Sequence, residues 1–275
     1  MTPQGAAAPA RCQPIDKTMI SKILSRLRTP ADQADAAIPP GQRIYAIGDI
    51  HGRHDLLESL LEQIAADESA RGGPPAMLIF LGDLIDRGPE SAQVVERLLR
   101  FARSRPEGAT RFLLGNHEEV FLSVLAGDLK ALKFFNRIGG RETILSYGIS
   151  EAEYSASDYP DLLALVLAKV PPQHGEFLSA FEDMILVGDY AFVHAGIRPT
   201  EPLDKQRTSD LRWIRDEFLS FTGPLSKVVV HGHTISSDVE STAHRIGLDT
   251  GAYRSGKLTA MGFEGRSRWL LQTAQ

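Results

Sequence analysis

Residues 44–64, IYAIGDIHGRHDLLESLLEQI, contain the unit from which the rest of the chain can be read. Ile44 to Ile47 form an apolar run of strand length. Gly48 ends it, and Asp49-Ile50-His51-Gly52 follows as a loop. Leu56, Leu57, Leu60, Leu61 and Ile64 then recur at helical spacing. Asp49 and His51 stand at i and i+2, so in extended backbone their side chains point the same way. One cation can therefore receive a carboxylate oxygen and an imidazole nitrogen from this loop.

The unit repeats. Met77 to Leu81 is a second buried strand and leads into Gly82-Asp83-Leu84-Ile85-Asp86-Arg87-Gly88. Val94, Val95, Leu98 and Leu99 mark the helix behind it. Phe112 to Leu114 leads into Gly115-Asn116-His117-Glu118, with Val120, Phe121, Val124 and Leu125 on the helix that follows. Strand, loop and helix in this alternation predict βαβ units on a parallel sheet. Residues 136–180 lack a strand pattern and read as a helical insertion beside the site, helical around Leu162 to Val166 and Phe177 to Phe181. Met184 to Val187 and Ala191 to Val193 flank the hairpin signal Gly188-Asp189. Val228 to Val230, Ile246 to Leu248 and Leu258 to Met261 are further strands, and Trp269 to Gln272 is read as closing a second sheet. The expected fold class is α/β: two mixed β-sheets packed face to face with helices on both outer sides, over residues 41–275.

Bulk properties narrow the function classes. The 275 residues carry a net charge of −5, 24% charged and 43% hydrophobic residues. This composition is globular, and the negative balance without a basic stripe argues against nucleic acid as a partner. Cys12 is the single cysteine, which excludes an internal disulfide and a thiolate metal cluster. No apolar run approaches the roughly 18 residues of a membrane span, and a cytoplasmic monomer is expected. Residues 1–40 read as a leader. Met19 to Arg28 forms a short basic helix in it, and either Met1 or Met19 can serve as the start.

The loops after the strands carry the chemistry. Asp83 follows the second strand, and its two carboxylate oxygens can bridge two cations. Asn116 offers a neutral amide oxygen. The second half adds His194, in Val193-His194-Ala195-Gly196, and His233, in His231-Gly232-His233-Thr234. A lone His or Asp after a strand is more often a cap or turn residue. Six such residues, in five strand-loop segments that each contain glycine, make that reading improbable together. The oxygen and nitrogen set without thiolate suits Mn²⁺, Fe, Zn²⁺ or Co²⁺. Two such ions are the arrangement used for in-line displacement at phosphorus.

Gly-Asp-x-His-Gly, Gly-Asp-x-x-Asp-Arg-Gly and Gly-Asn-His-Glu, in this order, resemble the phosphoprotein phosphatase family of metallophosphoesterases. The likeness is greatest to its bacterial and bacteriophage lambda-type serine/threonine phosphatases and covers roughly residues 43 to 265. The family's His-Gly-Gly stands here as His194-Ala195-Gly196, which keeps the ligand. Gly232-His233-Thr234 is intact, and Asp249-Thr250-Gly251-Ala252 is similar to the family's C-terminal strand pair. The resemblance implies two divalent ions, Mn²⁺ foremost, and a hydroxide bridging them that attacks phosphorus directly. Asp49, His51 and Asp83 would hold the first ion. Asp83, Asn116, His194 and His233 would hold the second. His117 would be the general acid, with Asp86 orienting it. Arg87, Arg215 and Asn116 would bind the substrate phosphate, with Arg212 the weaker rival of Arg215.

The implied substrates are phosphoserine or phosphothreonine in proteins. Nucleotides or diadenosine tetraphosphate are the alternative, and a non-catalytic phosphate-binding module comes third. Phe134, Phe135, Tyr147, Tyr154 and Tyr159 are candidates to stack on a base, and are more often core. His54 reads as a solvated helix start, His174 as exposed, and His231 as a packing residue. His244 has no motif around it, and Glu118 reads as a helix-start carboxylate.

Overall fold

The computed structural model describes residues 35–73 and 75–273, so the basic helix expected at Met19 to Arg28 lies outside the described residues. The first half runs β1 (Arg43–Ile47), α1 (His54–Arg71), β2 (Met77–Phe80), α2 (Ser91–Arg103), β3 (Thr110–Phe112) and α3 (Asn116–Leu125). Five helices follow without an intervening strand: α4 (Leu129–Ile138), α5 (Gly140–Ser146), α6 (Glu151–Ala156), α7 (Tyr159–Lys169) and α8 (Pro172–Ser179). The second half runs β4 (Met184–Val187), β5 (Tyr190–Val193), α9 (Thr208–Trp213), α10 (Asp216–Leu219), β6 (Val228–His231), β7 (Glu240–Ser241) and β8 (Arg245–Gly247). It ends with α11 (Ala252–Ser255), β9 (Thr259–Glu264) and β10 (Ser267–Gln272).

These strands form two mixed five-stranded sheets, in the orders β10-β9-β1-β2-β3 and β4-β5-β6-β8-β7. The strands β1, β2 and β3 are mutually parallel, and so are β5, β6 and β8. The period of two along β1 explains the layering. Ile44 and Ala46 face the second sheet and pack with Ile185, Phe192, Val230 and Leu248. Tyr45 and Ile47 face the other way, onto Leu57, Leu60, Val94 and Leu98 of the first helices. Val193 and Val229, on the outer face of the second sheet, meet Leu211, Ile214 and Phe218. The result is helix, sheet, sheet, helix, the α/β architecture expected.

One strand assignment is corrected. Trp269 to Gln272 lies at the edge of the first sheet, paired with β9, which in turn pairs antiparallel with β1. Gly262 explains this placement. It stands opposite both Tyr45 and Trp269, and a Cβ on it would lie 2.2 Å from the Trp269 ring. The bare glycine lets the indole meet the Tyr45 ring edge-on, at 5.8 Å between centroids. Asp67 on α1 then accepts from Tyr45 Oη at 2.6 Å, Trp269 Nε1 at 2.7 Å and Arg71 Nε at 2.8 Å. One carboxylate thus pins α1 to two strands.

His174 is also corrected. It is buried on α8, where Nδ1 meets Tyr147 Oη at 3.0 Å and Nε2 meets a Glu96 carboxylate oxygen at 2.9 Å. The Pro-rich flank that suggested exposure begins a helix that packs inward. Among the described residues, no helix is long and apolar enough to cross a membrane.

Candidate metal centre

Six parallel strands point their C-terminal ends at one place, the position where open α/β sheets bind ligands. Asp49 and His51 follow β1, Asp83 to Arg87 follow β2, and Asn116 and His117 open α3 just after β3. His194 follows β5, His231 and His233 end or follow β6, and Asp249 follows β8. All of these are buried except Arg87, which is half-buried.

The backbone here is strained. Among the described residues, the non-glycine positions with left-handed φ are His51, Asp83, Asp86, Arg87 and His233, all in this site. Each costs on the order of 1–3 kcal/mol and persists only where neighbours over-determine it. Asp83 O accepts from the amides of Ile50 and His51, at 3.1 and 2.9 Å, which locks the first loop to the second. Glu118 holds the second loop to the third. Its Oε1 accepts from the amides of Leu84 and Ile85, at 2.8 and 3.3 Å, and its Oε2 from those of Asp83 and Gly115, at 2.9 and 3.1 Å.

Hydrogen bonds also set the tautomers. His51 Nδ1–H donates to Ile85 O and His194 Nδ1–H to Leu81 O, both at 2.7 Å. Each ring is left with an Nε2 lone pair aimed inward, the usual way a metal-binding imidazole is oriented. His194 Nε2 lies 3.0 Å from Asn116 Oδ1 and 3.4 Å from Asp83 Oδ1, while His51 Nε2 lies 3.6 Å from Asp83 Oδ2. Acceptors converging in a buried site fit a cation between them. His233 Nε2 and Asp49 Oδ1 are buried without a hydrogen-bond partner. Ligand atoms gather in two groups within 4.8 Å, His51-Asp83-His117 and Asp83-His194-His233. Asp83 belongs to both. The first group contains His117 where the resemblance implies Asp49; Asp49 flanks it, with Oδ2 accepting from His233 N–H at 3.0 Å.

The electrostatics agree with a cationic occupant. Burial opposes ionisation of Asp83, yet His194, His117, His51 and His233 hold it well below the ordinary carboxylate range. Burial, reinforced by the charges of Asp249 and Asp83, pushes Asp49 well above that range. Burial pushes Asp249 up to about 6. It pushes His233 down to about 2, with His194 adding to the effect. Crowded buried carboxylates are stable as anions beside a positive ion.

Around this core stand the remaining predicted residues. His117 Nδ1 meets Asp86 Oδ2 at 2.5 Å. Arg87 reaches His51 Nε2 at 2.9 Å and His117 Nε2 at 3.1 Å. Arg215 donates to His233 O at 3.3 Å and to the Thr234 hydroxyl at 3.2 Å, beside the site. Arg212 is instead tied to Glu119 at 2.8 Å and Asp183 at 2.7 Å. Sequence reasoning gave no role at the site to three neighbours. Asp249 adds a buried carboxylate beside Asp49. Its signal was its place just past a strand end, as for Asp49. Tyr253 sets its ring edge-on to His51 at 5.5 Å, with the Arg87 guanidinium 5.1 Å from the ring centre. Glu118 was read as a helix-start charge, and its capping of Gly115 was legible, but not its grip on the second loop.

The chain is 29% identical over 226 residues to serine/threonine-protein phosphatase 2 of Escherichia coli (strain K12), covering 79% of this chain and 91% of that protein. It is 25% identical over 243 residues to the asymmetrical bis(5'-nucleosyl)-tetraphosphatase PrpE of Bacillus subtilis (strain 168), covering 79% and 89%. A symmetrical bis(5'-nucleosyl)-tetraphosphatase of Methylococcus capsulatus matches at 34% over 157 residues, 57% of this chain and 44% of that one. Among solved structures, a protein serine/threonine phosphatase from Saccharomyces cerevisiae shares the fold, with a TM-score of 0.52, 14% identity and coverage of 95% and 90%. Residues 42–257 match the family described as calcineurin-like phosphoesterase, and the chain belongs to that family of metal-dependent phosphoester hydrolases.

Proposed function

We propose that this hydrolase removes phosphate from phosphoserine and phosphothreonine in proteins, using two Mn²⁺ ions. The observation that carries the reading is the match to serine/threonine-protein phosphatase 2 along 91% of that protein. Of the aromatics that could stack on a base, Phe135 is fully buried against Phe121 and Tyr147 packs between Phe121 and His174, whereas Phe134 and Tyr154 are half-buried and Tyr159 is exposed. The PrpE relatives favour a second reading, cleavage of a dinucleoside tetraphosphate.

Asp49, His51 and Asp83 would hold one ion, and Asp83, Asn116, His194 and His233 the other. When bound, the ions supply an activated water near neutral pH and screen charge on the phosphoryl oxygens. Arg87 and Arg215 hold those oxygens and fix the phosphorus for in-line displacement. Arg87, which donates to His117 Nε2 in this structure, would turn to the phosphate and leave Nε2 free to carry a proton. As the water oxygen bonds to phosphorus and the bond to the leaving oxygen breaks, that Nε2 proton passes to the leaving oxygen. Burial disfavours the charged imidazole needed for this, but Asp83 and Asp86 outweigh it and hold the His117 pKa above its ordinary value. Asp86 also fixes the ring through Nδ1.

The test is a panel on one Mn²⁺-loaded sample: phosphoserine and phosphothreonine peptides, mononucleotides and diadenosine tetraphosphate. The proposal expects the highest kcat/KM on the peptides. A preference for diadenosine tetraphosphate overturns it.

A further inference from the structure

The corner between α4 and α5 grips the catalytic loop. Arg87 N–H donates to Gly139 O at 3.0 Å. Asp86 N–H donates to the Thr143 hydroxyl at 2.9 Å and shares the Ser91 hydroxyl at 3.0 Å. The Thr143 hydroxyl donates in turn to Asp86 Oδ1 at 2.6 Å. Its single proton is thus committed to Asp86, so the Ser91 hydroxyl, 2.9 Å away, supplies the proton between those two oxygens. Asp86 Oδ2 is the atom that meets His117 Nδ1. Both oxygens of this carboxylate therefore have fixed partners, and Asp86, Ser91 and Thr143 are all fully buried.

The same corner stabilises an unfavourable backbone. Asp86 and Arg87 are consecutive left-handed residues, at φ 73° and 68°. The amides of both are held by Gly139 and Thr143. Gly139 has φ 115°, and a Cβ there would lie 2.8 Å from Arg87 Cγ, so this close approach requires glycine.

The geometry points to Thr143 as the positioning residue of the acid: it sets the plane of the Asp86 carboxylate and, through Oδ2, the orientation of the His117 imidazole. This rests on the general-acid reading of His117 given above. A buried threonine that was merely satisfied would affect all substrates alike when changed. A positioning residue affects most those substrates whose leaving group needs a proton.

Thr143→Val keeps the shape and removes the hydroxyl, Thr143→Ala is a second probe should valine not fit, and Thr143→Ser restores the hydroxyl. In the Mn²⁺-loaded enzyme, kcat for a phosphoserine peptide falls about 10–100-fold in the valine variant. For para-nitrophenyl phosphate it stays within about threefold, KM changes little, and serine recovers the peptide rate. An independent readout is the His117 Nδ1–H proton signal in the Zn²⁺-loaded full chain, whose exchange with water is at least about tenfold faster in the valine variant and normal in the serine variant. Equal slowing of both substrates, a serine variant no better than valine, or unchanged exchange overturns the proposal. His117→Asn separates the two ideas. If it fails to discriminate between the substrates, the general-acid reading falls, and the exchange measurement alone decides the role of Thr143.

Discussion

His117 Nδ1 and Asp86 Oδ2 lie 2.5 Å apart, and both side chains are buried. The pair joins the start of α3 to the loop after β2, which also carries Arg87. Burial pushes Asp86 above the ordinary carboxylate range, and the His117 hydrogen bond and charge pull it back. Asp86→Asn keeps the shape and removes the charge that favours a protonated imidazole. We predict a loss of about 10–100-fold in kcat on alkyl phosphates and a smaller loss on aryl phosphates. Steady-state rates on phosphoserine and para-nitrophenyl phosphate measure it, and equal losses would contradict the pairing's role.

Glu118 should matter as much for the site's shape as any ligand. Burial, with the charge of Asp83 adding, pushes it up to about 8, while four amide donors favour the ionised form. Glu118→Gln turns an amide NH₂ toward two of those donors. The expected result is destabilisation by about 2–4 kcal/mol, since buried donors lose their acceptor. Divalent-ion affinity falls with it, because Asp83 sits on the displaced loop. Thermal melting and metal titration read the two effects, and a variant with unchanged melting would remove Glu118 from this role.

The two arginines flanking Trp213 should behave differently. Arg215 stands by His233 and Thr234, whereas Arg212 is committed to Glu119 and Asp183. Arg215→Ala is expected to weaken phosphate binding by about 10-fold or more, as loss of a charge-assisted contact does. Arg212→Ala is expected to lower thermal stability while leaving inhibition by inorganic phosphate near normal. Product-inhibition constants for both variants decide between these assignments.

The parts of the site read from sequence are those that local pattern encodes. Ile44 to Ile47 and Met77 to Leu81 are apolar runs bounded by glycine, and such runs reveal a strand end and whatever polar residue follows it. Asp49, His51, Asp83, Asn116, His194 and His233 stand out in this way, and the fold brings them together at the C-terminal ends of parallel strands from both sheets. Contacts made only in three dimensions left no such trace. Thr143 is 57 residues from Asp86, and nothing in its own segment announces the pair. His174 was misread because local composition reports neighbours in sequence, while its partners Tyr147 and Glu96 lie on other helices. The strand at Trp269 was assigned to the wrong sheet because the choice depended on Gly262 fitting between two rings.

Asp67 supplies a prediction about acid stability away from the catalytic site. Burial alone would raise its pKa, but hydrogen bonds from Tyr45, Arg71 and Trp269 outweigh burial and hold it below the ordinary value. The folded pKa is therefore below the unfolded one. The stabilisation is complete above the unfolded value of about 3.9 and is lost as pH falls through the folded value. Asp67→Asn should cost about 1–2 kcal/mol at pH 7, and the gap from wild type should close below about pH 4. Urea unfolding at a series of pH values checks this, and a gap that widens in acid would contradict it.

In the proposed centre, Asp83 would join two cation sites. Its two oxygens face His51 Nε2 at 3.6 Å on one side and His194 Nε2 at 3.4 Å on the other. The most direct measurement titrates the metal-stripped chain with Mn²⁺ while counting bound ions and following turnover of para-nitrophenyl phosphate. About two ions per chain are expected, with turnover appearing as the second site fills and abolished in Asp83→Ala. Full turnover with a single bound ion, or undiminished turnover in excess chelator, would contradict it.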